Sequence, residues 1–265
     1  MMERRNFIRT SALGTLGLSF TSCLKSTKTH ILSLSFDDGF KKSFYKTADI
    51  HEEYGLKACL NIIASAHMPG KGGPNEYHRD PVGNFEDWNI LKQRGHEIMP
   101  HSWEHANLTQ LPLDEAKELI LRCLDYFENN LDAFDASKAV YNFAYNASSP
   151  ELLDFVLTEV RAARAGGWDI LDNSIQANPF PKNGGPLRLG CWSFGPDNAD
   201  EWVEAEVNSF LGEEGGWLIL NLHGLDEEGW GPVSSVYLDK LLKRLVKVEF
   251  LDVLPAGMAL EKYGF

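Results

Sequence analysis

Apolar and polar positions follow two periods that take turns along the chain. The run Ile31-Leu32-Ser33-Leu34-Ser35-Phe36 reads as a buried strand. Residues 40–54 then carry Phe44, Ala48 and Ile50 at close to helical spacing and stop at Gly55, which predicts a helix with a glycine stop. Residues 57–63 predict a second strand, 88–94 a short helix ending at Gly95, and 96–100 a third strand. The clearest helix comes next. Ala116, Leu119, Ile120, Cys123, Leu124 and Phe127 fall at i, i+3, i+4, i+7, i+8 and i+11, with Asp114 and Glu115 favourable in its first turn. Strands over 139–145 and 162–168 flank a helix over 151–160. A helix over 202–211, a wholly apolar strand over 217–222, a helix over 236–246, a strand over 248–253 and a helix over 255–263 complete the pattern. Two long irregular stretches, 66–87 and 172–200, interrupt it. Loops of that length in a compact domain are uncommon and often functional.

Strands alternating with helices imply a parallel sheet, hence an α/β fold. Seven or so units favour a (β/α)7-8 barrel over an open sheet, in a single domain with no linker or repeat to divide it. In such barrels the chemistry sits at the C-terminal ends of the strands. Asp37 and Asp38, His101 and His105, Tyr145, Trp168 and Asp169, and His223 all directly follow a predicted strand.

Charge narrows the partners. With 25 Lys+Arg against 38 Asp+Glu the net charge is −13, which argues against nucleic acid and against an anionic membrane surface. Residues 1–23 do not read as fold. Arg4-Arg5-Asn6-Phe7-Ile8-Arg9 is basic, residues 12–20 are mildly apolar, and Ser22-Cys23 follows. This resembles a twin-arginine export signal with a lipoprotein site at Cys23; an ordinary cleaved signal is the alternative. The expectation is an exported protein, periplasmic or at the cell surface, touching membrane only through an N-terminal lipid. The expectation is that residues 24–265 form one folded domain. The remaining cysteines, Cys59, Cys123 and Cys191, show neither a disulfide framework nor metal-binding spacing.

Asp37 and Asp38 stand side by side at the tip of a buried strand, where like charges repel and each resists leaving water. A divalent cation would offset that. His101-Ser102-Trp103-Glu104-His105 supplies two imidazoles four apart, and Asp38 with His101 and His105 makes a three-ligand site with open positions. That donor set suits Zn²⁺ and also accepts Co²⁺ or Ni²⁺. Asp37 points away from Asp38 on an extended segment and is placed to act as a general base toward water. His223 can protonate a leaving group, and backbone N–H groups around Tyr145 can receive an oxyanion. Taken singly, each has a plainer reading: a turn or helix cap for Asp37-Asp38-Gly39, a helix surface for the histidine pair, a core residue for His223. Together they argue for a metal-dependent hydrolase.

Ser-Phe-Asp-Asp-Gly at 35–39, His-Ser-x-x-His at 101–105 and Leu-His at 222–223 resemble the polysaccharide deacetylases of carbohydrate esterase family four, with the NodB homology domain. The resemblance spans roughly residues 31–255. It implies a distorted barrel and metal-dependent removal of acetyl groups from sugars. By position Asp37 corresponds to the base, Asp38, His101 and His105 to the metal triad, His223 to the acid, and the Tyr145 amide to the oxyanion donor. Where the family commonly has Arg-x-Pro-Tyr this chain has Asn142-Phe143-Ala144-Tyr145, so the Arg that steadies the base is missing and Arg164 is the substitute at hand. Trp168 could line the acetyl pocket, or simply pack in the core, and Asp169 could orient His223. The implied substrate is an acetylated amino-sugar polysaccharide or oligosaccharide, with Tyr77, Trp88, Phe180 and Trp192 as stacking surfaces. An O-acetyl esterase, a small cyclic amide hydrolase and a catalytically inactive carbohydrate-binding lipoprotein are the alternatives.

Overall fold

The computed structural model describes residues 28–69, 81–167, 177–181 and 187–264. The export segment 1–23, Tyr77, Trp168 and Asp169 lie outside the described residues.

The first strand, β1 (His30–Phe36), is buried along its whole length. After α1 (Lys41–Glu53) come β2 (Cys59–Ile62), α2 (Phe85–Gln93), β3 (Glu97–Pro100) and α3 (Leu113–Asn130). Then follow β4 (Val140–Asn142), α4 (Pro150–Glu159), β5 (Ala162–Gly166), β6 (Arg188–Cys191), α5 (Asp200–Leu211), β7 (Gly216–Leu222), α6 (Ser235–Leu245), β8 (Leu251–Val253) and α7 (Ala256–Tyr263). The ladders among these strands are all parallel, as expected when a helix crosses over between them.

The strands form two sheets, one ordered β3-β2-β1-β7 with β8 also on β1, the other β4-β5-β6. β7 pairs with all of β1, from His30 opposite Gly216 to Phe36 opposite Leu222. The other edge of β1 is shared: β8 takes His30 to Leu32 and β2 takes Ser35 and Phe36. That split is the distortion of the barrel. Beyond β6, Trp192 bridges Leu220, donating its N–H to Ile219 O at 3.2 Å and accepting from Asn221 N at 2.7 Å, which joins the sheets on one side. On the other side the joint is made by side chains, with Asn142 Nδ2 donating to Pro100 O at 3.2 Å. Within the second sheet Asn142 is the register partner of Arg164.

Local chemistry explains where the pattern and the structure part. Helix α2 starts at Phe85 because Asn84 caps it, accepting from Glu86 N and Asp87 N while Asp87 returns a bond to Asn84 N. The fourth strand stops at Asn142, and Tyr145 sits in a 3₁₀ turn, Ala144–Asn146, with φ +57°. The strand β6 falls inside the stretch 172–200 read as irregular; its Arg-Leu-Gly-Cys sequence is too short and mixed to show a period. The last strand is shorter than predicted, since Val248 N and Leu251 N are used by turns that follow α6. At the start of β3, Glu97 accepts from Gly257 N and Met258 N at 3.0 and 2.9 Å and so caps α7.

Candidate active site

The C-terminal ends of the strands converge on a cavity of about 330 Å³, bordered by Asp37, Asp38, His101, His105, Tyr145 and His223 among others. Parallel strands bring their ends to one face, so residues far apart in sequence meet there. The backbone bends sharply to turn these side chains inward: Asp38 has φ +80°, His105 +58° and Tyr145 +57°. Left-handed conformations in non-glycine residues cost on the order of 1–3 kcal/mol each and persist where surrounding structure enforces them.

The adjacent carboxylates have opposite surroundings. Asp37 is filled on both oxygens. Oδ2 accepts from Arg164 Nη2 at 2.6 Å and from Asn221 Nδ2 at 2.5 Å, and Oδ1 accepts from Asn61 Nδ2 at 2.7 Å. Asn61 is held in turn by Asn142, whose Nδ2 donates to Asn61 Oδ1 at 3.0 Å. Burial opposes the charge on Asp37, but the guanidinium of Arg164, followed by His101 and His223, holds its carboxyl below the usual range. Arg164, on β5, is wholly buried.

Asp38 is the contrary case. Its buried Oδ1 has no hydrogen-bond partner among the described residues, while His101 Nε2 lies 3.5 Å away and His105 Nε2 3.4 Å away. These three side chains each offer a ligand atom, all within 4.8 Å of one another. Ligands about 2.05 Å from a tetrahedral ion are separated by roughly 3.3 Å, so the site fits a small divalent cation such as zinc. The other nitrogen of His101, Nδ1, faces Asn142 O at 3.0 Å. A proton on Nδ1 leaves Nε2 free as a donor to metal. Burial lowers the His105 imidazole to about 4, which keeps it neutral and ready to ligate. His101 is raised: burial lowers it, but Asp37 and Asp38 more than compensate, so the same carboxylates that favour an imidazolium there also favour a cation.

His223 follows β7 and is lowered by burial. Tyr145 is half exposed, its ring 4.6 Å from that of His105. Trp103 packs under Arg122 at 4.3 Å, 3% exposed, and takes no part in the cavity. Trp88 is likewise buried, against Phe44, which removes it from the stacking surfaces expected. Asn61, Asn221, Ser193 and Trp230 were not singled out by pattern. For Asn61 and Asn221 a signal existed: an amide inside a fully buried apolar strand needs a polar partner.

Comparison with known proteins gives a consistent result. The family described as polysaccharide deacetylase matches residues 24–153. No curated protein matches the chain by sequence. Among solved structures, a candidate polysaccharide deacetylase from Mycobacterium smegmatis has a TM-score of 0.63 at 14% identity, over 89% of this chain and 90% of that one. The peptidoglycan deacetylase PdaC of Bacillus subtilis gives 0.53 at 17%, over 88% and 91%. A family 4 carbohydrate esterase from Streptomyces lividans, in complex with acetate, gives 0.51 at 14%, over 86% and 91%. At such identities these likenesses show the fold.

Proposed function

We infer, for a chain whose residues 24–153 belong to the polysaccharide deacetylase family of hydrolases, that it removes N-acetyl groups from an acetylated amino-sugar polymer and releases acetate. The observation that carries this reading is the buried, unpartnered Oδ1 of Asp38 facing two imidazole nitrogens at 3.4 and 3.5 Å. Asp38, His101 and His105 would hold a divalent cation, zinc by its donor set, with Co²⁺ or Ni²⁺ acceptable. Such a cation supplies Lewis acidity to the attacking water and to the acyl carbonyl.

The protein's own groups do the rest. Asp37, fixed by three donors, accepts the proton of the water that attacks the acetamide carbon. The Tyr145 N–H is assigned to the developing oxyanion by position in the family motif. His223 gives its proton to the departing nitrogen as the C–N bond breaks, leaving a free amine and acetate. Arg164 takes the orienting part of the family's missing Arg, which weighs against an inactive binding module.

Similarity to a peptidoglycan deacetylase supports a glycan substrate. The basic and apolar segment ending at Cys23 supports export, with a lipid anchor at that cysteine. The test is metal analysis of the purified protein together with acetate release from N-acetylglucosamine oligomers and from O-acetylated oligosaccharides. One equivalent of zinc and release from the N-acetyl oligomers are expected. A metal-loaded protein that binds oligosaccharide but frees no acetate overturns the reading, and release from O-acetyl substrates alone makes it an esterase.

A further inference from the structure

Asn142 closes the seam between the two sheets with an amide whose direction follows from its neighbours. Its Nδ2 shares two hydrogens among Val140 O at 3.0 Å, Pro100 O at 3.2 Å and Asn61 Oδ1 at 3.0 Å. A main-chain carbonyl only accepts, so those of Val140 and Pro100 require the NH₂ end of Asn142 on their side. The residue is 1% exposed, and turning its amide over would bury one carbonyl oxygen against two others.

That fixed donor sets the next amide. Asn61, on β2 and equally buried, presents Oδ1 to Asn142. Both hydrogens of its Nδ2 are then available on the other side, where Ser35 Oγ and Asp37 Oδ1 each accept one at 2.7 Å. Polarity thus passes from the main chain at Val140 and Pro100 through Asn142 and Asn61 to the carboxylate. The amide on the other oxygen of Asp37 is held more loosely: Asn221 Oδ1 faces Asn146 Nδ2 at 3.4 Å, at the wall of the cavity.

Asn142 also adjoins the candidate cation site. Its main-chain O faces His101 Nδ1 at 3.0 Å, and His101 Nε2 lies 3.5 Å from Asp37 Oδ2. One residue therefore sets a proposed ligand through its main chain and reaches Asp37 through its side chain. We propose that Asn142 is a positioning residue for Asp37, its side chain locking the Asn61 amide with the NH₂ toward Oδ1 and so fixing the carboxylate's angle to the attacking water. This rests on the reading of Asp37 as the base. Without the lock, Asn61 is free to turn its oxygen toward Asp37, where two acceptors repel. Arg164 still holds Oδ2, so the carboxylate stays charged and swings about that oxygen.

The test uses the zinc-loaded full chain and an N-acetylglucosamine oligomer, with kcat expressed per bound zinc. Asn142→Leu and Asn142→Ala are compared with Asn61→Leu, with Asp37→Asn and with the paired substitutions. In both Asn142 variants kcat is expected to fall about tenfold, part of what a general base supplies, while KM and zinc content stay at the parent values. Adding Asn142→Leu to Asn61→Leu, or to Asp37→Asn, lowers kcat no further, because the same path is already cut. The smaller Asn142→Ala carries the test where Asn142→Leu does not fold. A residue that only braced the seam would lose zinc or raise KM, or would lower kcat by the same factor in the Asp37→Asn background. Any of these overturns the proposal, as does an unchanged kcat in the Asn142 variants, and Asp37 remains the base. If Asp37→Asn itself keeps full kcat, the base reading fails and this inference with it.

Discussion

The ends of β1–β3 and the ends of β5–β7 enclose the same cavity by different means. The first region is defined by ligand atoms: Asp38, His101 and His105 come from two short contiguous motifs, and the backbone passes through left-handed conformations at Asp38 and His105. The second is defined by burial. Arg164 comes from β5, Asn221 and His223 from the end of β7, and Trp230 from the loop after it, each set by what it packs against or bonds. Coordination demands fixed spacing, so it is written as a motif. Packing demands only that a shape be filled, so its residues scatter.

That contrast can be broken at several points. The largest effect is expected at His105→Ala, which removes a ligand: metal retention and acetate release are both lost, as read by metal analysis and product assay. Asp37→Asn in the same region keeps the metal but lowers kcat by roughly 10²–10⁴. In the second region Arg164→Met strips a buried carboxylate of its charge partner, so urea unfolding should show a loss of about 3–5 kcal/mol, much of it restored by adding Asp37→Asn. A neutral Arg164→Met would end the claim that burial defines this side. Asn221→Leu is expected to cost less, about 1–3 kcal/mol, because only one neutral donor to Asp37 is lost.

The smallest effect is at the neck of the loop 224–233. Asp226 is held down to about 2, first by its hydrogen bond to Lys46 and then by Ser235 N. A depressed carboxyl contributes stability above its unfolded value near 3.8 and loses it as pH falls toward 2. Asp226→Asn should therefore lower stability at neutral pH by less than about 1 kcal/mol, since the pair is exposed, and the difference should vanish near pH 2. Unfolding midpoints at the two pH values decide it.

The parallel order of strands and helices was legible because periods of 2 and 3.6 are local. Asp37, Asp38, His101 and His105 were legible because metal binding constrains neighbours in sequence. Strand β6 was not, since Gly190 and Arg188 dilute a four-residue pattern whose burial is decided by the sheet around it. Asn61 and Asn221 look like blemishes in apolar runs until folding brings Asp37 between them. Trp230 gave no local signal at all, because its meaning lies in the imidazole ring it touches. The tip of β4 had the opposite difficulty: a departure from the family motif was visible at Asn142, while its compensation on β5 could be named only as a candidate.

The register of β4 and β5 gives that compensation a simple basis. Asn142 and Arg164 are lateral neighbours, so a positive charge moved from one to the other travels a single interstrand spacing, roughly 4.8 Å. A guanidinium, with its long reach and several donors, absorbs such a step and still meets the same carboxylate. Parallel sheets thus offer a charge two equivalent addresses. What counts as lost in a residue-by-residue alignment is, in this molecule, delivered next door.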